Sequence, residues 1–73
     1  MSLSIEQKFS KRLRELRKEY SYTQEQLAEL ADIDYKHIQL LESTNPPSIR
    51  LNTLEKIAKA FNITPSQLIN FKK

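Results

Sequence analysis

The sequence predicts an all-α fold of five short helices, and three observations carry that prediction. Apolar residues recur three and four apart along most of the chain, the period of one helix face. Three Ser/Thr-x-x-Gln boxes, beginning at Ser4, Thr23 and Thr64, mark helix starts. None of the 73 residues is glycine, which removes the usual two-residue hairpin turns and argues against a small all-β fold.

Each element follows in order. Ile5, Phe9, Leu13, Leu16 and Tyr20 line one face of the first helix, with Ser4 as its cap and Gln7 completing the box. The second helix starts at Thr23, with Gln26 three residues on and Tyr22 and Leu27 placed as a hydrophobic staple. It carries Leu27, Ala28, Leu30 and Ala31 and is expected to stop near Asp32. Asp34 is the cap candidate for a third helix that turns Ile38 and Leu41 inward and runs to about Glu42. Residues 43–48, two prolines and four small polar residues, form a loop that cannot extend a helix. Leu51, Leu54, Ile57, Ala58 and Phe61 restore the spacing, so a fourth helix begins between Arg50 and Asn52, with Asn62 as its left-handed terminator. Thr64 caps the last helix, Pro65 takes its first position, Gln67 completes its box, and Ile63 and Leu68 form a staple. That helix is expected over 65–70. Helices this short are marginal alone, so caps worth about 1 kcal/mol each matter.

Length and composition exclude more than they assign. A chain of 73 residues is expected to form one domain, with one modest core and no deep catalytic cleft. No cysteine means no disulfide and no thiolate zinc site, and a single histidine leaves no basis for a metal centre. Without glycine there is no phosphate-cradling loop and no dinucleotide fingerprint. With no paired-carboxylate site and no nucleophile triad either, no enzyme, no cofactor and no small-molecule ligand are expected. No apolar run reaches six residues, so no membrane span is expected. The polar, amphipathic N-terminus does not read as a signal peptide, and a cytoplasmic location follows as the expectation.

The net charge of +3 is unevenly spread. Residues 1–18 carry +4, from Lys8, Lys11, Arg12, Arg14, Arg17 and Lys18 against Glu6 and Glu15. Residues 19–42 carry −5, and residues 43–73 carry +4, with Arg50, Lys56, Lys59, Lys72 and Lys73 as the cations. Basic ends favour a polyanion such as nucleic acid, although a solvated surface of mixed charge is an equal reading of charge alone.

Two short capped helices with two or three residues between them must meet steeply, which is a helix-turn-helix over about 23–42. Ala28 supplies a small residue at the crossing, Asp32 a residue that tolerates positive φ, and Ile33, Ile38 and Leu41 the anchors to the core. The run Thr23-Gln24-Glu25-Gln26-Leu27-Ala28-Glu29-Leu30-Ala31-Asp32-Ile33 closely resembles the opening of the phage-repressor-like (Cro/CI, or XRE) helix-turn-helix transcriptional regulators. The 13–17 run Leu-Arg-Glu-Leu-Arg, the Ile38 to Glu42 spacing and the 53–60 run Thr-Leu-Glu-Lys-Ile-Ala-Lys-Ala follow the same family's habit. The resemblance covers about residues 9–68 and implies a compact five-helix lambda-repressor-like DNA-binding domain. The length and the double-proline loop are also similar to the small controller proteins of restriction–modification systems. The family usually has glycine where Asp32 stands, and the 45–49 loop is slightly longer than common.

The resemblance implies roles residue by residue. The third helix would lie in the major groove of double-stranded DNA, with Tyr35, Lys36 and Leu40 at the bases and His37 and Gln39 nearby. Lys36 would donate to guanine, and Leu40 would meet a thymine methyl. Gln24, Ser43, Thr44, Asn45 and Arg50 would hold phosphates. Two copies on a near-palindromic operator are expected, since one helix reads only a few base pairs, and Ile69 and Phe71 are the candidate homodimer contacts.

Other readings stay open on the residues themselves. Tyr35 and His37 read equally as exposed residues on a polar helix face. Ile69 could pack inside the monomer, with Phe71 frayed. Glu25 and Glu29 would repel a duplex and are placed on the side away from it, so affinity leans on basic groups of the first helix and the loop. Besides an operator-binding repressor or activator, the same fold serves interaction modules such as an antitoxin whose main partner is a toxin protein.

Overall fold

The computed structural model describes residues 3–71. Lys72 and Lys73, two cations of the basic C-terminal third, lie outside the described residues. Five helices follow one another and no strand occurs among the described residues: α1 (Ile5–Glu19), α2 (Gln24–Ala31), α3 (Tyr35–Leu41), α4 (Leu51–Ala60) and α5 (Pro65–Leu68).

The helix starts follow local chemistry. Ser4, Thr23 and Thr64 each accept from the backbone N–H three residues on, and Gln7, Gln26 and Gln67 each return a bond to the cap. These are three complete capping boxes. The Asp34 carboxylate accepts from the Lys36 N–H at 2.9 Å and so starts α3. Arg50 precedes α4 without a side-chain cap.

Three helices stop in one way. Ser21, Asp32 and Asn62 have φ of 59°, 57° and 59°, in the left-handed region. In each case the next residue reaches back five positions: Tyr22 N–H to the Arg17 carbonyl, Ile33 to Ala28 and Ile63 to Ala58, at 2.9–3.0 Å. This arrangement satisfies carbonyls that a helix end would leave unpaired. Tyr22, Ile33 and Ile63 then pack on the core. Asp32 and Asn62 are the left-handed residues the sequence predicts. Ser21 is not legible in that way, because serine has no particular tolerance of this region. Its conformation follows from the seat of Tyr22, whose ring stacks on Phe61 at 5.8 Å while Tyr20 meets Phe61 edge-on at 5.0 Å.

The core joins all five helices. Phe9, Leu13 and Leu16 of α1 meet Leu27, Ala28 and Ala31 of α2, Ile38 and Leu41 of α3, Leu54, Ile57 and Ala58 of α4, then Phe61 and Leu68. α2 packs against both α3 and α4, which the small Ala28 and Ala31 permit.

Some expected core positions face water instead. Ile5 is 66 % exposed and Leu51 83 %, both in the first turn of a helix that overhangs the core, and Leu30 faces outward from α2. α5 ends at Leu68 rather than at residue 70. The Ile69 N–H already reaches the Pro65 carbonyl and the Asn70 N–H the Gln67 carbonyl, while the Arg12 guanidinium takes the carbonyls of Gln67 and Leu68.

Candidate nucleic-acid interface

α2, residues 32–34 and α3 form a helix-turn-helix. Left-handed Asp32 reverses the chain, Ile33 tucks against the core, and Asp34 opens α3 at once. Ile38 and Leu41 are fully buried, which fixes the roll of α3. Tyr35, Lys36, Gln39 and Leu40 therefore fall on one exposed face, being spaced by one and four residues. His37 lies half-buried at the flank of that face. The Tyr35 hydroxyl accepts from the Gln39 amide at 3.1 Å, so two of these side chains are already joined.

The far end of α3 is held by α1. Gln7, Ser10, Arg14 and Arg17 are spaced three, four and three apart and form a polar stripe beside the apolar one. Gln7 donates to the Thr44 carbonyl at 3.4 Å, and Ser10 to the Ser43 carbonyl at 3.1 Å. Arg14 Nη1 donates to the Glu42 carbonyl at 2.8 Å and to Ser10 Oγ at 2.7 Å. Arg17 grips the Glu42 carboxylate at two points and donates to the Tyr22 carbonyl at 2.9 Å. The last carbonyls of a helix lack intrahelical partners and carry partial negative charge, so guanidinium donors suit them.

Glu42 is the buried charge of the site, its side chain 3 % exposed. Its carboxylate accepts from Arg17 twice and from the Gln24 amide at 3.0 Å. Gln24, in the first turn of α2, thus turns an amide N–H inward and ties both helices of the motif together. A buried carboxylate is tolerable only when it is paired and hydrogen-bonded in this manner.

This corrects one expectation from charge. Arg12, Arg14 and Arg17 are not free cations: all three donate to internal acceptors, Arg12 to the end of α5 and the other two to the end of α3. Arginine, with several donors in a fixed fork, does this where lysine would not. Of the α1 cations, Lys8, Lys11 and Lys18 make no side-chain hydrogen bond or ion pair to another described residue. The stripe 7-10-14-17 could have been found from its helical spacing, but apart from the Glu42 carboxylate its acceptors across the fold are backbone carbonyls, which no residue pattern reveals.

The loop residues are spread more loosely. Ser43 Oγ donates to the Leu40 carbonyl at 2.7 Å, and Ser48 Oγ lies 3.3 Å from the Glu6 carboxylate. Thr44, Asn45 and Arg50 are exposed, and the Arg50 side chain makes no hydrogen bond to another described residue. Ile69 is exposed, whereas Phe71 is half-buried against the core. Both line an apolar hollow of about 240 Å³ whose walls also include Ile5, Pro47, Ile49 and Leu54. Among the described residues no group of three His, Asp or Glu side chains could hold a metal ion. No helix of the described residues is long and apolar enough to cross a membrane.

The model of one family, the Cro/C1-type HTH DNA-binding domain, matches residues 12–73. No curated protein and no solved structure matches the chain. The family match spans α2, the turn and α3 whole, together with most of α1 and both later helices. The chain belongs to the Cro/C1-type helix-turn-helix family of DNA-binding regulators.

Proposed function

We propose that the protein is a sequence-specific regulator that sets α3 in the major groove of an operator, as a homodimer on a near-palindrome. The observation that carries this is the division of α3. Tyr35, Lys36, Gln39 and Leu40 are exposed together, while Ile38, Leu41 and the clamped Glu42 hold the opposite side in place. A helix so fixed offers its side chains to base edges without first losing conformational freedom. Lys36 donates to guanine O6 or N7, Leu40 meets a thymine methyl, and Tyr35, Gln39 and His37 complete the contact face.

Phosphates on either side of the groove are held by Gln24 at the α2 N-terminus, by Ser43, Thr44 and Asn45, and by Arg50. The dimer forms through the apolar hollow, with Ile69 and Phe71 joined by Ile5 and Ile49. It places two copies of α3 about 34 Å apart, one turn of DNA.

Selection of binding sites from random duplexes, followed by titration at two salt concentrations, tests the proposal. A near-palindrome bound saturably and weakened steeply by salt is the expected result. Lys36→Ala changes which base is preferred and costs about 1–3 kcal/mol, whereas Gln24→Ala and Arg50→Ala weaken all sequences alike. An unchanged preference and affinity in Lys36→Ala would overturn the assignment of α3.

A further inference from the structure

Between α1 and the end of α3 lies a second hollow, of about 280 Å³. Leu3, Gln7, Ser10, Lys11 and Arg14 line it from one side, Ser43 and Thr44 from the other, and no carboxylate of the described residues reaches its wall. Gln7, Ser10 and Ser43 donate to carbonyls. Arg14 uses Nη1 alone and leaves its Nε and Nη2 groups without an acceptor among the described residues. The Lys11 ammonium and the Thr44 hydroxyl have no hydrogen-bond partner among the described residues.

Nearby acids do not cancel this charge. Glu42 is neutralised by Arg17, Glu6 lies against Ser48, and no ion pair joins Lys11 to Glu15 one turn further along α1. The hollow thus holds two cations without a counter-charge among the described residues, next to a hydroxyl, and this suits an anion with several acceptor oxygens. Its position names the anion. Ser43, on its wall, bonds back to Leu40, which belongs to the exposed face of α3. A duplex engaged by that face brings its backbone to this edge.

We infer that the hollow takes a backbone phosphate of the DNA duplex, with Lys11 and Thr44 as the direct donors and Arg14 supplying positive potential behind them. The inference rests on the reading of α3 as the groove-inserted helix. It adds to the interface a residue from α1, a helix that otherwise only supports the motif, and so extends the duplex contact beyond the loop.

The test compares Lys11→Gln with Lys8→Gln on a 20-bp random-sequence duplex, each titrated between about 50 and 200 mM salt. Both variants lose one charge from an exposed site on the same helix, but Lys8 lies outside the hollow. Urea unfolding checks that both remain folded. Lys11→Gln is expected to bind more weakly at low salt, with a slope of log affinity against log salt shallower by about 0.9. Its deficit relative to the parent then shrinks about 3.5-fold across that salt range. Lys8→Gln keeps the parental slope. If Lys11→Gln keeps the parental slope, or both variants shift it equally, the phosphate site is wrong while the regulator reading stands. If the parent protein ignores the duplex even at low salt, the regulator reading falls and takes this inference with it.

Discussion

Arg17 and Glu42 face each other across two hydrogen bonds, Nε to Oε2 at 2.7 Å and Nη2 to Oε1 at 3.0 Å. The pair joins the last turns of α1 to the residue that ends α3. Its side chains are 16 % and 3 % exposed, so neither charge is well solvated.

Breaking the pair from one side should be costly. Glu42→Ala leaves the mostly buried Arg17 guanidinium without its counter-charge and the Gln24 amide without its acceptor, and a loss of about 3–5 kcal/mol is expected. A chain of 73 residues has total stability on the order of 4–11 kcal/mol, so much of the variant unfolds. Urea titration followed by circular dichroism measures this. The double change Arg17→Met with Glu42→Leu removes both charges together and should recover most of the stability.

Two neighbouring leucines separate folding from recognition. Leu41 is fully buried and Leu40 is 51 % exposed. Leu41→Ala should lose about 2–5 kcal/mol through a cavity in the core. Leu40→Ala should stay within about 0.5 kcal/mol of the parent in urea yet bind the selected duplex more weakly. Equal destabilisation of the two would contradict the roll assigned to α3.

The left-handed residue between α1 and α2 offers a stabilising change. Ser21 holds φ near 59° with a side chain that gains nothing from it, and left-handed backbone costs an ordinary L-residue about 1–2 kcal/mol. Ser21→Gly should raise stability by about 0.5–1 kcal/mol after the entropy glycine loses on folding. Asn62→Gly should gain less, because asparagine tolerates this region better. Thermal melts of both variants against the parent decide it, and a drop in midpoint for Ser21→Gly would refute the reasoning.

The apolar hollow at Ile69 makes a prediction about assembly. A carboxylate placed there disfavours burial against a second copy, so Ile69→Glu should sediment as a monomer where the parent sediments as a dimer. Since Ile69 is exposed in the single chain, its urea midpoint should match that of the parent diluted to monomer and fall below that of the dimeric parent. Duplex affinity should fall, because one α3 then binds without its partner.

The fold was legible wherever the cause is local. Three Ser/Thr-x-x-Gln boxes, the Asp34 cap and the 3–4 period of apolar residues act within one or two helical turns, and the helix starts at Ile5, Gln24, Tyr35, Leu51 and Pro65 follow from them. The exposed face of α3 was legible for the same reason, because burying Ile38 and Leu41 leaves Tyr35, Lys36, Gln39 and Leu40 no other direction.

By itself, then, this chain specified its helices, its turn at Asp32 and the side chains α3 presents, since each depends on residues a few positions apart. Only tertiary structure decided what its cations do. Arg17 meets Glu42 across 25 residues, Arg14 meets the Glu42 carbonyl across 28, and Arg12 meets the Leu68 carbonyl across 56. At such separations a guanidinium destined for a helix end and one destined for solvent look the same in sequence, because the acceptors, the Glu42 carboxylate for Arg17 and backbone carbonyls for Arg14 and Arg12, come within reach only when the helices have packed.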